Sequence, residues 1–179
     1  PTARPYQKPH PKMWLAAMSD PAVRRAGREG HILFIGPAQP YDTIQRQVDL
    51  YHRTLDQHGH PVPQEMVLVR EFFCANNRQQ ALEQARQGFL QKYEAYAAHG
   101  LQGTDPELTR KVTGDLETLM EDTFIVGSPQ ECIQQIARYR QLGFTHISLR
   151  LFYPEMPQRD VLEHIELVGR EVLAAVHGL

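Results

Sequence analysis

The sequence is poor in cysteine and tryptophan, and in surplus charge of either sign. It holds 2 cysteines and 1 tryptophan among 179 residues. Cys74 and Cys132 are too few for a disulfide scaffold, and both sit in apolar runs. They read as inert buried thiols of a reducing compartment, so the expected location is cytoplasmic. Lys and Arg number 19 against 21 Asp and Glu, a net charge of -2. That balance argues against a nucleic-acid binder working through a broad basic field. No apolar run approaches the ~18 residues of a membrane span. No charged-then-apolar leader opens the chain, so no secretory signal is expected. Neither G-x-G-x-x-G nor a P-loop occurs, and neither nucleotide fingerprint applies. His58 and His60 share a loop, but two histidines fall short of the three or four convergent ligands of a metal site. No metal is expected.

What is present suffices for one core. Hydrophobic residues make up 41% of the chain, and the length suits a single domain over 1–179. Pro1, Pro5, Pro9 and Pro11 make residues 1–11 an extended arm. Lys12–Ala17 reads as a strand. Ser19-Asp20-Pro21 then offers an N-cap with proline in the first turn, and Gly30 stops that helix. Ile32–Ile35 is a second strand. Ile44, Val48, Tyr51 and Leu55 form the core stripe of a helix from about Thr43 to His58. Met66–Ala75 is the third strand. Asn77 and Gln80 resemble a capping pair for a helix carrying Leu82, Ala85, Phe89, Tyr93 and Tyr96 and ending at Gly100. Asp105-Pro106 opens another helix, and Thr123–Val126 is briefly extended. Ser128-Pro129-Gln130-Glu131 is a capping box, and Gly143 ends its helix. His146–Phe152 is a strand, and a last helix starting near Pro157 carries Val161, Ile165, Val168, Val172 and Val176.

Strand and helix alternate throughout with no two-residue hairpin, the pattern of a parallel α/β sheet with right-handed crossovers. A doubly wound sheet calls for almost wholly apolar central strands. Here Arg70-Glu71 and Arg150 stand toward the C-terminal ends of theirs. A (β/α)8 barrel expects polar groups at that rim. Four main strands are half of eight.

The stretches KPHPKMWLAAMSDPAVRRAGREG, VREFFCANNRQQALEQA and FIVGSPQECIQQIARYRQLGFTHISLRLFYP resemble the C-terminal half of the bacterial-luciferase-like flavin monooxygenases. The Val-Gly-Ser-Pro-x-Glu helix start, the Leu-Gly helix end and the strand running into Tyr-Pro are the most specific part. The resemblance implies strands five to eight of a luciferase-like barrel. It implies part of an enzyme that oxidises a small organic substrate with reduced FMN and O2, served by a flavin reductase. The alternatives are a deazaflavin (F420) oxidoreductase of the same fold, or a non-catalytic half barrel that binds flavin. A half barrel has unpaired edges and an uncovered inner face, so a homo-oligomer is expected, without turnover by this chain alone.

The strand-to-helix turn at Ala16–Asp20 suits a phosphate, since free N–H groups and the helix dipole meet there. It is also what any capped helix shows. By the resemblance, Ala17, Met18, Ser19 and Asp20 hold the flavin phosphate, with the Asp20 carboxylate turned away. The Gly127-Ser128-Pro129 start is read as a structural cap. Arg70 and Glu71 must point to opposite faces of their strand. Arg70, Glu71 and Arg150 are either structural ion pairs or substrate and flavin contacts. Tyr153 is either a flavin neighbour at the rim or a packing aromatic. Trp14 and Phe34 are expected in the core. No catalytic residue is assigned: Glu71 or Phe72 stands where the third strand would offer a histidine.

Overall fold

In the computed structural model, residues 4–8, 10–98, 120 and 123–177 are described. The sheet is parallel throughout. β1 (Trp14–Ala16) pairs β2 (Ile32–Ile35), with Trp14 opposite Ile32 and Ala16 opposite Phe34. β2 pairs β3 (Val67–Cys74) through Phe34 and Val67. The longest strand, β3, serves two further neighbours. Its first five residues pair β5 (His146–Arg150), placing Glu71 opposite Arg150. Its last three pair β4 (Ile125–Gly127). The piece expected to be merely extended near Thr123–Val126 is thus a strand of the sheet.

Helices follow the strands: α1 (Asp20–Arg28), α2 (Tyr41–Gln57), α3 (Arg78–Ala98) and α4 (Pro129–Gln141). After β5, α5 (Gln158–Leu167) passes through a π-helical turn, Val168–Leu173, into Ala174–Val176. The helix expected from Asp105-Pro106 and the stop at Gly100 lie outside the described residues.

Parallel register keeps paired residues on one face, which sorts the sheet into two sets. Leu33, Ile35, Leu68 and Phe72 face α1, α2 and α4. They pack with Val23, Ile44, Val48, Tyr51, Leu55 and Ile136. This is the main core. The opposite, inner face carries Trp14, Phe34, Val67, Val69, Glu71 and Phe73. At its C-terminal end α3 lies across it, and Phe73 packs with Ala85, Phe89, Tyr93, Phe124 and Tyr153. At its N-terminal edge, around β1, no layer of the described residues covers it. Trp14 is therefore 49% exposed and Phe34 only half-buried, against the expectation that both are core. They stack on each other at 6.5 Å, and the Trp14 indole N–H donates to Glu65 at 3.3 Å.

The two serine-led helix starts differ. Ser128 Oγ accepts from the Glu131 N–H, and Glu131 Oε2 accepts from the Ser128 N–H at 2.8 Å, a complete capping box. Ser19 is the N-cap of α1, but its side chain makes no capping bond. Ser128→Ala should therefore cost ~1 kcal/mol in chemical denaturation, while Ser19→Ala should leave the midpoint nearly unchanged.

Candidate functional site

The β1–α1 turn is built from small residues and locked by its neighbour. The Ala17 N–H donates to the Phe34 carbonyl at 2.9 Å, and Ala17 is fully buried. The Met18 carbonyl accepts from Gln39 Nε2 at 2.6 Å. The Met18 sulfur rests on Gly36, where a Cβ would come within 2.6 Å of it. Met18 and Ser19 are exposed. Asp20 bonds sideways to Arg46 Nη1 on α2 at 2.6 Å. That bond holds its carboxyl below the usual carboxylate range and offsets its charge at the helix start. Gln39 is buried, and its Oε1 has no partner among the described residues. The turn thus presents an α1 N-terminus without a side-chain cap, a neutralised carboxylate and one unsatisfied buried amide oxygen.

On the inner face Glu71 is fully buried and draws two cations. Lys92 Nζ lies 2.7 Å from Oε2, and Arg150 Nη1 lies 3.1 Å from Oε1. The Tyr93 hydroxyl donates to Oε1 at 3.4 Å. Burial pulls the Lys92 ammonium below its usual range, with Glu71 opposing. The Lys92 side chain is 12% exposed and that of Arg150 38%. The Glu71–Arg150 ion pair is therefore real, and the guanidinium keeps a surface open to a ligand.

Arg70 points the other way and is fully buried on the helix side. Among the described residues it forms no ion pair there. Its guanidinium donates to the carbonyls of Pro37 at 2.9 Å and Gln39 at 3.0 Å, and stands 4.7 Å from the centre of the Tyr139 ring. Arg70 is thus a fully buried fastener of the β2–α2 loop. Two carbonyls and an aromatic face partly offset the burial of this charge, while Nε has no partner among the described residues.

Tyr153 follows β5 and is buried. Its hydroxyl donates to the Phe72 carbonyl at 2.8 Å, and its ring meets Phe89 edge-on at 4.5 Å. Gly88 lets α3 pass close, since a Cβ there would sit 2.7 Å from the Tyr153 Cβ. Tyr153 packs firmly, with part of its surface lining a cleft between α3 and α5.

The family model for the luciferase-like monooxygenases matches residues 1–146. The chain belongs to that family. Curated proteins give no match, but solved structures do. Monooxygenase RslO1 from Streptomyces bottropensis superposes with a TM-score of 0.71 at 22% identity, over 97% of this chain and 51% of that one. The oxygenating constituent of 3,6-diketocamphane monooxygenase from Pseudomonas putida, solved in complex with FMN, gives 0.67 at 19%, over 93% and 49%. An F420-dependent secondary alcohol dehydrogenase, bound to an F420–acetone adduct, gives 0.68 at 18%, over 94% and 50%. This luciferase-like chain spans about half the length of the structures it matches. Its parallel α/β sheet is a partial barrel.

Within this family member the sequence reading missed His164. Its ring accepts the Cys74 N–H at Nε2, 3.0 Å away, so Nδ1 carries the proton donated to the Leu151 carbonyl at 3.0 Å. Phe73 stacks on it at 4.6 Å. Stepping back by fours from Val172 and Val168 lands on His164, whereas Ile165, expected in the core, is 46% exposed. Burial lowers the His164 pKa from its ordinary value. Between that lowered value and ~6.5 the unfolded chain binds the extra proton, so stability falls as pH drops below 6.5. His164→Gln should flatten this part of a urea-midpoint-against-pH curve.

The other sequence candidates hold structural places. His58 Nδ1 meets the Thr54 carbonyl at 3.0 Å, and His60 Nε2 the Arg28 carbonyl at 2.9 Å. No three His, Cys, Asp or Glu converge as metal ligands among the described residues. Cys74 and Cys132 are both free and buried. They are also neighbours: a hydrogen bond donated to Cys74, with burial, pushes the Cys132 thiol up. No helix of the described residues is long and apolar enough to cross a membrane.

Proposed function

We propose that this chain is part of a flavin-dependent monooxygenase that oxidises a small organic substrate with reduced FMN and O2. The observation that carries the reading is the Ala17–Asp20 turn. Its helix start lacks a side-chain cap, and the nearby carboxylate is neutralised by Arg46. These features fit a phosphate monoester. Backbone groups of Met18, Ser19 and Asp20 would hold the phosphate, with Ala17 permitting close approach. Flavin, when bound, supplies the oxygen chemistry, and the protein's task is to bind, orient and exclude water. Phe73, Phe89 and Tyr153 supply an apolar wall at the rim. Arg150, anchored by Glu71, contacts the substrate or the flavin from the inner face. A separate reductase would deliver reduced flavin, and a second copy of the chain would shield the open face.

F420 is the second reading, because two similar solved structures are named as F420-dependent enzymes. FMN carries a phosphate monoester and F420 a phosphodiester, and the N–H groups of the turn could donate to the oxygens of either. The test is to load the protein with FMN or F420, remove free cofactor, and identify what is retained by visible spectrum and mass spectrometry. Retention of FMN, weakened at least tenfold by Ser19→Trp, supports the reading. Retention of F420 alone shifts it to the deazaflavin branch. Equal binding by wild type and Ser19→Trp removes the turn from the site.

A further inference from the structure

We propose that the cleft between α3 and α5 binds a small organic amine in its ammonium form. The cleft encloses about 620 Å³, within the range of small-molecule sites. It opens at the C-terminal end of β3, and Phe73, Tyr153, His164 and Leu167 contribute its apolar floor. Tyr153 stands between it and the Glu71 cluster, lining the cleft while Lys92 sits 5.5 Å over its ring. The cleft shares Phe73 and Tyr153 with the apolar wall assigned to the rim, but the choice of ligand rests on amides and carboxylates that the flavin reading does not use.

The walls select the ligand. On α3, Gln80, Gln84, Gln87 and Gln91 line the cleft. Their steps of four, three and four place them on one helical stripe. A solvated stripe would ordinarily carry Lys, Glu or Arg. This one has only neutral amides, which donate and accept. Among the described residues the facing wall holds Glu155, Asp160 and Glu163 against one cation, Arg159. Arg159 is already engaged by Asp160 at 3.2 Å and Glu163 at 3.5 Å. Glu155 sits in a left-handed backbone conformation, φ 66, which a non-glycine residue adopts only when its surroundings impose it. There its carboxylate accepts from Gln91 Nε2 at 3.0 Å across the cleft. His164 adds no positive charge, because its Nε2 is an acceptor. Among the described residues, three carboxylates and one guanidinium give the lining a negative balance. It repels carboxylate and phosphate ligands and attracts an ammonium. The amide stripe can take further donors and acceptors, and the aromatic floor suits an apolar body.

The test uses isotope-labelled protein and three probes of one shape: benzylammonium, benzyl alcohol and benzoate. Side-chain amide resonances of the glutamines are followed by NMR during titration. Benzylammonium should shift Gln84, Gln87 and Gln91 saturably, the alcohol more weakly and benzoate not at all. The double variant Glu155→Gln/Glu163→Gln should lose at least tenfold in benzylammonium affinity while keeping its amide dispersion. If it fails to fold, Gln87→Trp, at an exposed position, should block the shifts instead. Benzoate binding as well as benzylammonium overturns the proposal. So does absence of saturable shifts, or undiminished affinity in the variants.

Discussion

Replacing Glu71 by Leu should destabilise the protein by ~3–5 kcal/mol, because it strips a buried cation of its carboxylate. Glu71 is fully buried, and the Lys92 side chain is 12% exposed. At ~2–4 °C per kcal/mol for a chain of this size, the melting temperature should fall by roughly 6–20 °C. Arg150→Met should behave differently. Its side chain is 38% exposed, and without it Glu71 keeps Lys92 as a counter-ion at 2.7 Å. The loss should therefore lie below that for Glu71→Leu, toward the ~0–1 kcal/mol of a pair with an exposed member. Flavin or substrate binding should then suffer more than stability. A loss for Arg150→Met as large as for Glu71→Leu would make the pair structural and remove Arg150 from the ligand site.

In isolation this chain should self-associate at micromolar concentration and show no monooxygenase turnover. A closed barrel hydrogen-bonds every strand edge, and this sheet does not close. Trp14 and Met13 are each 49% exposed, and Phe152 is 68% exposed. Leu162, Ile165 and Leu173 add an apolar stripe on the last helix, at 53%, 46% and 40%. Exposed apolar side chains at the rims of an open sheet favour an interaction site when they gather into a patch. The middle of the inner face is better covered than the sequence implies, since Val67 and Val69 are buried. Association should therefore work through the rims, and Trp14→Ser with Phe152→Ser should weaken it. Sedimentation reads this directly: a stable monomer near 20.6 kDa that turns over substrate would contradict the half-barrel account.

Local punctuation made most elements legible. Ser19-Asp20-Pro21 placed α1, and Ile32–Ile35 is a strand at the bounds expected. The stripe Ile44, Val48, Tyr51 and Leu55 is buried as a set. What alternation along a strand does not reveal is which face is covered. Trp14 and Phe34 look like core until the missing opposite wall exposes them. For the same reason adjacency put Arg70 and Glu71 on opposite faces without saying which. Arg70 turned toward loop carbonyls that are 33 and 31 residues distant, contacts that no local pattern announces. His164 was hidden by its apolar neighbours, because Ile165 looked the better core residue. The Gln stripe of α3 was readable from spacing alone, but its meaning depends on the carboxylates that α5 brings opposite.

The phosphate assignment at the Ala17–Asp20 turn is the central claim, and comparing FMN with riboflavin tests it most directly. The two share the ring and the ribityl chain and differ only in the phosphate. Isothermal titration should give FMN binding at least tenfold tighter than riboflavin, with the difference abolished by Ser19→Trp. Equal affinity for the two flavins, or a preference for FMN that survives Ser19→Trp, would place the phosphate elsewhere and contradict the account.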